Sequence, residues 1–290
     1  MSALLAGMDH AEDFDARGCS CYVGTSAGSI VAASLVAGLP PGARLGHLSP
    51  PSGTAPALDA RETVLGQAFR AAADLAGTTV APLASLLAAS TAPGGAMLRR
   101  ALLRGIPSGR RSLAELGHHV ELAGVQWDGR LRVIALELDT GRRVVFGAPG
   151  SPQLSVSFAV QASCAIPGVF RPLRADGHSY VDGGAWSPTN IDAAQVEWGG
   201  RVLCLNPTGS LRPTRGAVAG AFGPVSRSIA GAEALVLRNR GASVSTINPD
   251  AASTAAMGTN LMDPRRRRAV IDAGLAQGYR LVSEQLRAVA

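Results

Sequence analysis

The stretch that decides the fold is Cys21–Ser34, CYVGTSAGSIVAAS. Cys19–Val23 reads as a short buried strand, because Tyr22 and Val23 suit a pleated surface and glycine follows. Ile30, Val31, Leu35 and Val36 then recur at helical spacing. Gly38 falls just past the expected helix end, and Pro40 and Pro41 forbid continuation. Ser26 therefore belongs on a tight strand-to-helix turn, with Gly24 and Gly28 removing side chains that would crowd it. A serine held there presents Oγ at a helix N-terminus, where the dipole and free N–H groups favour an anion. This is the Gly-x-Ser-x-Gly nucleophile-elbow pattern. With 35 glycines among 290 residues, such a match arises by chance in about one chain in three, so the motif needs partners elsewhere.

Working outward, the chain reads as alternating strands and helices. Residues 40–58 are rich in Pro, Gly and Ala and read as a loop, and 59–120 carry helical patterns broken at Pro93–Gly95 and Ile106–Gly109. Leu131–Phe146 reads as a β-hairpin turning at Asp139-Thr140-Gly141. Leu154–Ala165 reads as a helix ended by Pro167 and Gly168. Phe170–Gly184 reads as a second hairpin turning at Asp176-Gly177. Arg201–Pro207 is expected to be a buried strand, followed by a helix near 217–240 and a strand near Ala242–Ile247. A final helix sets Ile271, Leu275, Gly278, Val282 and Leu286 on one stripe. The alternation predicts an α/β class with a mostly parallel sheet.

Composition narrows the function classes. A hydrophobic content of 47% with 17% charged residues is that of a globular protein. No apolar run reaches the ~18 residues of a membrane span, and residues 1–8 lack the basic start of a signal peptide. Cys19, Cys21, Cys164 and Cys204 show no metal spacing; Cys21 and Cys204 sit in strand-like runs and read as reduced, buried thiols, which fits a cytoplasmic setting. The net charge is +6, and all 27 basic residues are arginine, a coding bias more than a functional choice. The densest run, Arg265–Arg268, follows an expected N-cap, Asp263, and Pro264 at the first helical position. It reads as a solvated face paired with carboxylates; the alternative is that it, with the arginines at 99–100 and 110–111, faces anionic lipid headgroups. Nucleic acid is not expected as a partner, because no aromatics interleave with the basic residues.

The serine needs a base. In the chain order serine, acid, histidine, the triad is Ser26, Asp139 and His178, although Asp139 already serves a hairpin turn. The other candidate base is Asp182, which ends an apolar strand ahead of Gly183-Gly184. That pair is expected to exit sharply with positive φ and to leave open space beside the carboxylate. His178 and Asp182 share a strand face, but four residues separate them by about 13 Å.

Three blocks, GTSAGS at 24–29, QASCAIPGVFRPL at 161–173 and YVDGG at 180–184, together resemble the patatin-like phospholipases. LELDTGRRVVF at 136–146 is similar to a hairpin of that family. The resemblance runs from about residue 19 to about 207. It implies a single domain over 1–290 with a three-layer α/β/α sandwich, residues 39–120 forming a helical insertion or cap. It implies hydrolysis of lipid acyl esters by a Ser26–Asp182 dyad, with Gly24, Ala27 and Gly28 at the elbow and oxyanion position. Gly183 and Gly184 would support the aspartate, and no metal or cofactor would be required. An acyltransferase, or a catalytically weak lipid- or partner-binding homologue, is the competing expectation. Members of the family resemble one another in a Gly-Gly-Gly-x-Arg/Lys-Gly loop ahead of the first helix, and this chain opens instead on MSALLAGMDHAEDFD. The expectation is a truncated or misassigned start that lacks a strand and an oxyanion loop. Such a form would lean on the Ala27 N–H, be poorly active and tend to associate.

Overall fold

The computed structural model describes residues 1–9, 14–45, 95–211, 222–258, 261 and 263–289. Most of the expected insertion at 39–120, with His47, lies outside the described residues, as does His10. Strand β1 is Tyr22–Thr25 and helix α2 is Ala27–Val36, after a short first helix, α1, over Ser2–Met8. The strand starts later than Cys19 because Tyr22 N–H makes the first sheet bond, to Arg130 O. Helix α2 ends as the glycine predicts. Gly38 has φ +80°, its N–H donates to Leu35 O, and Leu39 N–H donates to Ser34 O. That pair of bonds is a Schellman cap, which needs a residue free to adopt the left-handed region.

Helices α3 (Gly95–Arg104) and α4 (Ala114–Leu122) precede strands β2 (Leu131–Glu137) and β3 (Arg142–Phe146). Helix α5 (Val156–Cys164) follows, started by the Ser155 side chain, which accepts from Phe158 N–H. Strands β4 (Leu173–Ala175) and β5 (His178–Asp182) form the second hairpin. Asp176 and Gly177, at φ +51° and +80°, turn it as a two-residue loop with both centres left-handed. Then come β6 (Arg201–Leu205), α6 (Phe222–Asn239), β7 (Ser243–Ile247), α7 (Ala251–Met257) and α8 (Arg267–Val289).

The α/β class holds. The sheet pairing is mixed where the sequence predicts mostly parallel: β1 with β2 and β6 with β7 run parallel, while the hairpins bring antiparallel pairs of β2 with β3, β4 with β5 and β2 with β5. Strand β2 is central. Leu131, Val133, Ile134, Ala135 and Leu136 are all 0% exposed, as a strand covered on both faces must be. Leu131, Val133 and Ala135 join one core with α2, α4 and α5. Leu136 faces the other way, into a core with Val181, Leu103 of α3 and Val225 and Ile229 of α6. Helices on both faces of β2 make three layers.

Strand β6 is not buried as its sequence implies. It pairs only with β7 among the described residues, leaving Arg201 and Leu203 exposed while Cys204 faces α6. None of the four cysteines is in a disulfide, but only Cys164 and Cys204 are buried. Helices α1 and α8 approach closely through glycine: a Cβ on Gly7 would lie 2.4 Å from Leu275 O, and one on Gly278 2.3 Å from Leu4 O. The Arg265–Arg268 run begins at the Asp263 cap as expected. Arg265 and Arg266 pair with Asp263, and Arg268 with Asp272.

Candidate active site

The sheet register brings Ser26 and Asp182 together. Strand β3 occupies one edge of β2 along Val133–Glu137. The other edge is shared: Thr25 of β1 lies opposite Ile134, and Asp182 of β5 lies opposite Ala135. Strands β1 and β5 therefore run toward each other along one side of β2, and their C-terminal ends meet there. Ser26 is the next residue after β1, and Asp182 is the last of β5.

Ser26 sits at φ 51°, ψ −127°, a region costly for a residue with a side chain, roughly 1–3 kcal/mol. The surrounding bonds enforce it. Ser26 N–H donates to Ser163 Oγ at 2.9 Å, and Ser26 O accepts from Ser29 N–H and Ser29 Oγ at 2.8 and 2.7 Å. The Ser26 side chain makes no cap bond to α2, so its hydroxyl is not spent on the helix. A Cβ on Gly24 would fall 2.4 Å from Ser29 Cα, so the strand-to-helix contact requires glycine there. Gly28 differs from expectation: a Cβ there meets nothing within 4 Å. It leaves open space over the N-terminus of α2 and relieves no crowding.

Asp182 is 1% exposed. Its N–H donates to Ala165 O at 3.0 Å, and its Oδ1 accepts from Gly184 N–H at 2.7 Å. Oδ2 is buried with no hydrogen-bond partner. Burial pushes the Asp182 pKa up to about 7, while the Gly184 N–H and the Ser26 hydroxyl act in the opposite sense. The two glycines after it do not adopt positive φ as expected; they open a short 3-10 turn, Gly183–Ala185. Gly183 is needed for a different reason. It fills the junction of the two strand ends, where a Cβ would lie 2.4 Å from Ile134 O. Nor is the space beside the carboxylate open at Gly184, where a Cβ would stand 3.0 Å from Oδ1.

The triad residues do not converge. Leu138 N–H bonds Ser179 O and Asp139 Oδ2 accepts from Ser179 N–H, so Asp139 and His178 sit together at the far end of β5. That end is about 13 Å along the strand from Asp182. His178 Nδ1 is bonded to the Glu137 carboxylate. Glu137, Asp139 and His178 have ligand atoms within 4.8 Å of one another and could hold a cation, away from Ser26.

Two residues escape sequence reading. Ser163, fully buried on α5, holds the Ser26 N–H, and two residues later Ala165 O holds Asp182; the QASCAIPGVFRPL block thus clamps both strand ends. Asn190, fully buried and left-handed at φ 52°, ties the strand ends from the other side. Its Nδ2 donates to Thr25 Oγ1 at 3.0 Å and Ser187 O at 2.6 Å, with Gly183 O at 3.5 Å. Asn190 is braced in turn. Arg143 reaches its Oδ1 and forks onto Asp192, and Glu233 accepts from Thr189 Oγ1 and Ile191 N–H. A left-handed Asn is the one local signal that points to it.

The glycine-flanked serine, the helix-end clamp and the aspartate-glycine turn all fall within one stretch that a family model recognises. The model for patatin-like phospholipase matches residues 15–194. That span is well over half of the chain, and the chain belongs to the patatin-like phospholipase family.

Proposed function

We propose that the chain hydrolyses acyl esters of lipids through an acyl-serine at Ser26, with Asp182 as its base. Family membership supports lipid acyl hydrolysis as the class of activity. The observation that carries the finer reading is the meeting, where the ends of β1 and β5 converge, of an uncapped serine hydroxyl with a buried carboxylate whose Oδ2 makes no other hydrogen bond. Ionised Asp182 takes the Ser26 proton as Oγ attacks the acyl carbonyl. The leaving alcohol receives that proton from Asp182. A water then gives its proton to Asp182 and its oxygen to the acyl group, and Asp182 returns that proton to Ser26 Oγ as the acid is released. The Ala27 N–H, first in α2, is the elbow donor for the oxyanion, because the Ser26 N–H is already bonded to Ser163. A pKa near 7 suits a base at neutral pH better than an ordinary aspartate would.

The test is labelling by a fluorophosphonate together with hydrolysis of a short-chain ester. Wild type should label and turn over, and Ser26→Ala should do neither while remaining folded. Labelling that survives in Ser26→Ala, or activity lost in His178→Ala but kept in Asp182→Asn, would overturn the dyad. Transfer of the acyl group to an added alcohol in preference to water would make the chain an acyltransferase.

A further inference from the structure

Arg99 is a buried cation that the reaction above does not use. Its side chain is 2% exposed on α3, Nε donates to Gly141 O at 3.4 Å, and Nη1 is shielded with no hydrogen-bond partner. Among the described residues no carboxylate pairs with it; burial alone acts on its pKa, lowering it. Its guanidinium lies 3.9 Å from the centre of the Trp186 ring, and that of Arg143 lies 5.6 Å from the same ring. Arg143 is already committed to Asp192. Stacking on an aromatic face compensates only part of the cost of burying a charge. What remains is an unmet demand for an anion, and a guanidinium suits the oxygens of a phosphate or a carboxylate.

The position is as telling as the charge. Trp186 N–H donates to Gly183 O, so the ring stands one tight turn beyond Asp182. Arg143 lies opposite Leu136, one step along β2 from the Ala135–Asp182 pair. We propose that Arg99, stacked on Trp186, binds the phosphate of a glycerophospholipid whose acyl ester lies over Ser26. The assignment rests on the acyl-ester reading of Ser26 and Asp182.

The helix that carries Arg99 favours a lipid over free phosphate. Met97 is 81% and Leu102 40% exposed, and Arg100 and Arg104 are exposed one turn apart. Apolar side chains beside arginines with long stems suit the boundary between acyl chains and headgroups. Among the described side chains of α3, only Arg99 and Leu103 are buried.

The experiment compares a short-chain phosphatidylcholine with the diacylglycerol of the same acyl chains, both as monomers, for wild type, Arg99→Met and Arg99→Gln. Either variant should raise KM for the phospholipid at least tenfold and leave diacylglycerol hydrolysis within about twofold. Calorimetric titration of the Ser26→Ala protein supplies a readout that needs no turnover. It should bind the phospholipid saturably, inorganic phosphate more weakly, and neither once Arg99→Met is added. Equal losses on both substrates, or an unchanged phospholipid KM, would overturn the assignment. Phosphate binding as tight as the lipid's would assign the site to free phosphate. A wild type that binds phospholipid through Arg99 yet hydrolyses nothing would sink the acyl-hydrolase reading and leave this site standing.

Discussion

Replacing Asp182 by asparagine should abolish turnover and, above neutral pH, make the protein more stable than wild type. Burial lifts the Asp182 carboxyl from 3.8 to about 7. Between about pH 4 and 7 the folded protein thus holds a proton that the unfolded chain has released. Stability then falls as pH rises through that window, and the loss is complete above about pH 7. The difference of about 3 pH units, at 1.36 kcal/mol each, comes to about 4 kcal/mol. Asparagine carries no charge. It keeps Oδ1 for the Gly184 N–H and puts a neutral NH2 where Oδ2 had no partner. Below pH 4 the two proteins should therefore match. Above pH 7 the variant should gain up to about 4 kcal/mol, or about 8 °C in Tm at about 2 °C per kcal/mol for a chain of this size. Denaturant melts at pH 4, 6 and 8.5 read the stability, and kcat/KM of the wild type should rise through about pH 7 as the base ionises. Identical pH slopes for the two proteins would refute burial as the source of the high pKa. A flat kcat/KM from pH 5 to 8.5 would refute Asp182 as the base.

Because Ser26 and Asp182 act as a unit, Ser26→Ala with Asp182→Asn should be hardly slower than either single variant on a short-chain ester; multiplicative losses would separate their roles. Gly24→Ala drives a Cβ to 2.4 Å from Ser29 Cα and should lower both stability and activity, whereas Gly28→Ala, facing open space, should leave the melting curve within about 0.5 kcal/mol of wild type. Asn190→Asp replaces the NH2 that holds Thr25 and Ser187 O with a second acceptor, so kcat should fall 10–100-fold with KM within about threefold, as expected of roughly 1 Å misplacement; a change in KM alone would show that it touches substrate instead. Gly38→Ala should cost about 1 kcal/mol in a denaturant melt without changing kcat, since it strains only the cap of α2.

The sequence determined the local elements because their causes are local. Gly38 past α2, Asp176-Gly177 between β4 and β5, Ser155 at the start of α5 and Asp263-Pro264 before α8 each act through bonds a few residues long, and each stands where its residue type requires. The Gly-x-Ser-x-Gly elbow was legible for the same reason, as was an aspartate ending a strand. What the sequence could not decide were relations across the sheet. Nothing near Asp182 says that β5 continues along the edge of β2 that β1 has vacated; only the register of Thr25 on Ile134 and Asp182 on Ala135 sets the two ends face to face. The glycines show the same division. Gly24, Gly28 and Gly183 look alike in the chain, yet Gly24 and Gly183 are fixed by backbone from residues packed against them and Gly28 by none. Burial was likewise misjudged at β6 and at Cys19, because exposure depends on which element covers a face. Ser163 and Asn190 carried no signal strong enough to single them out: their partners lie 137 and 165 residues away, and only folding brings a hydroxyl and an amide to the one junction where Ser26 and Asp182 meet.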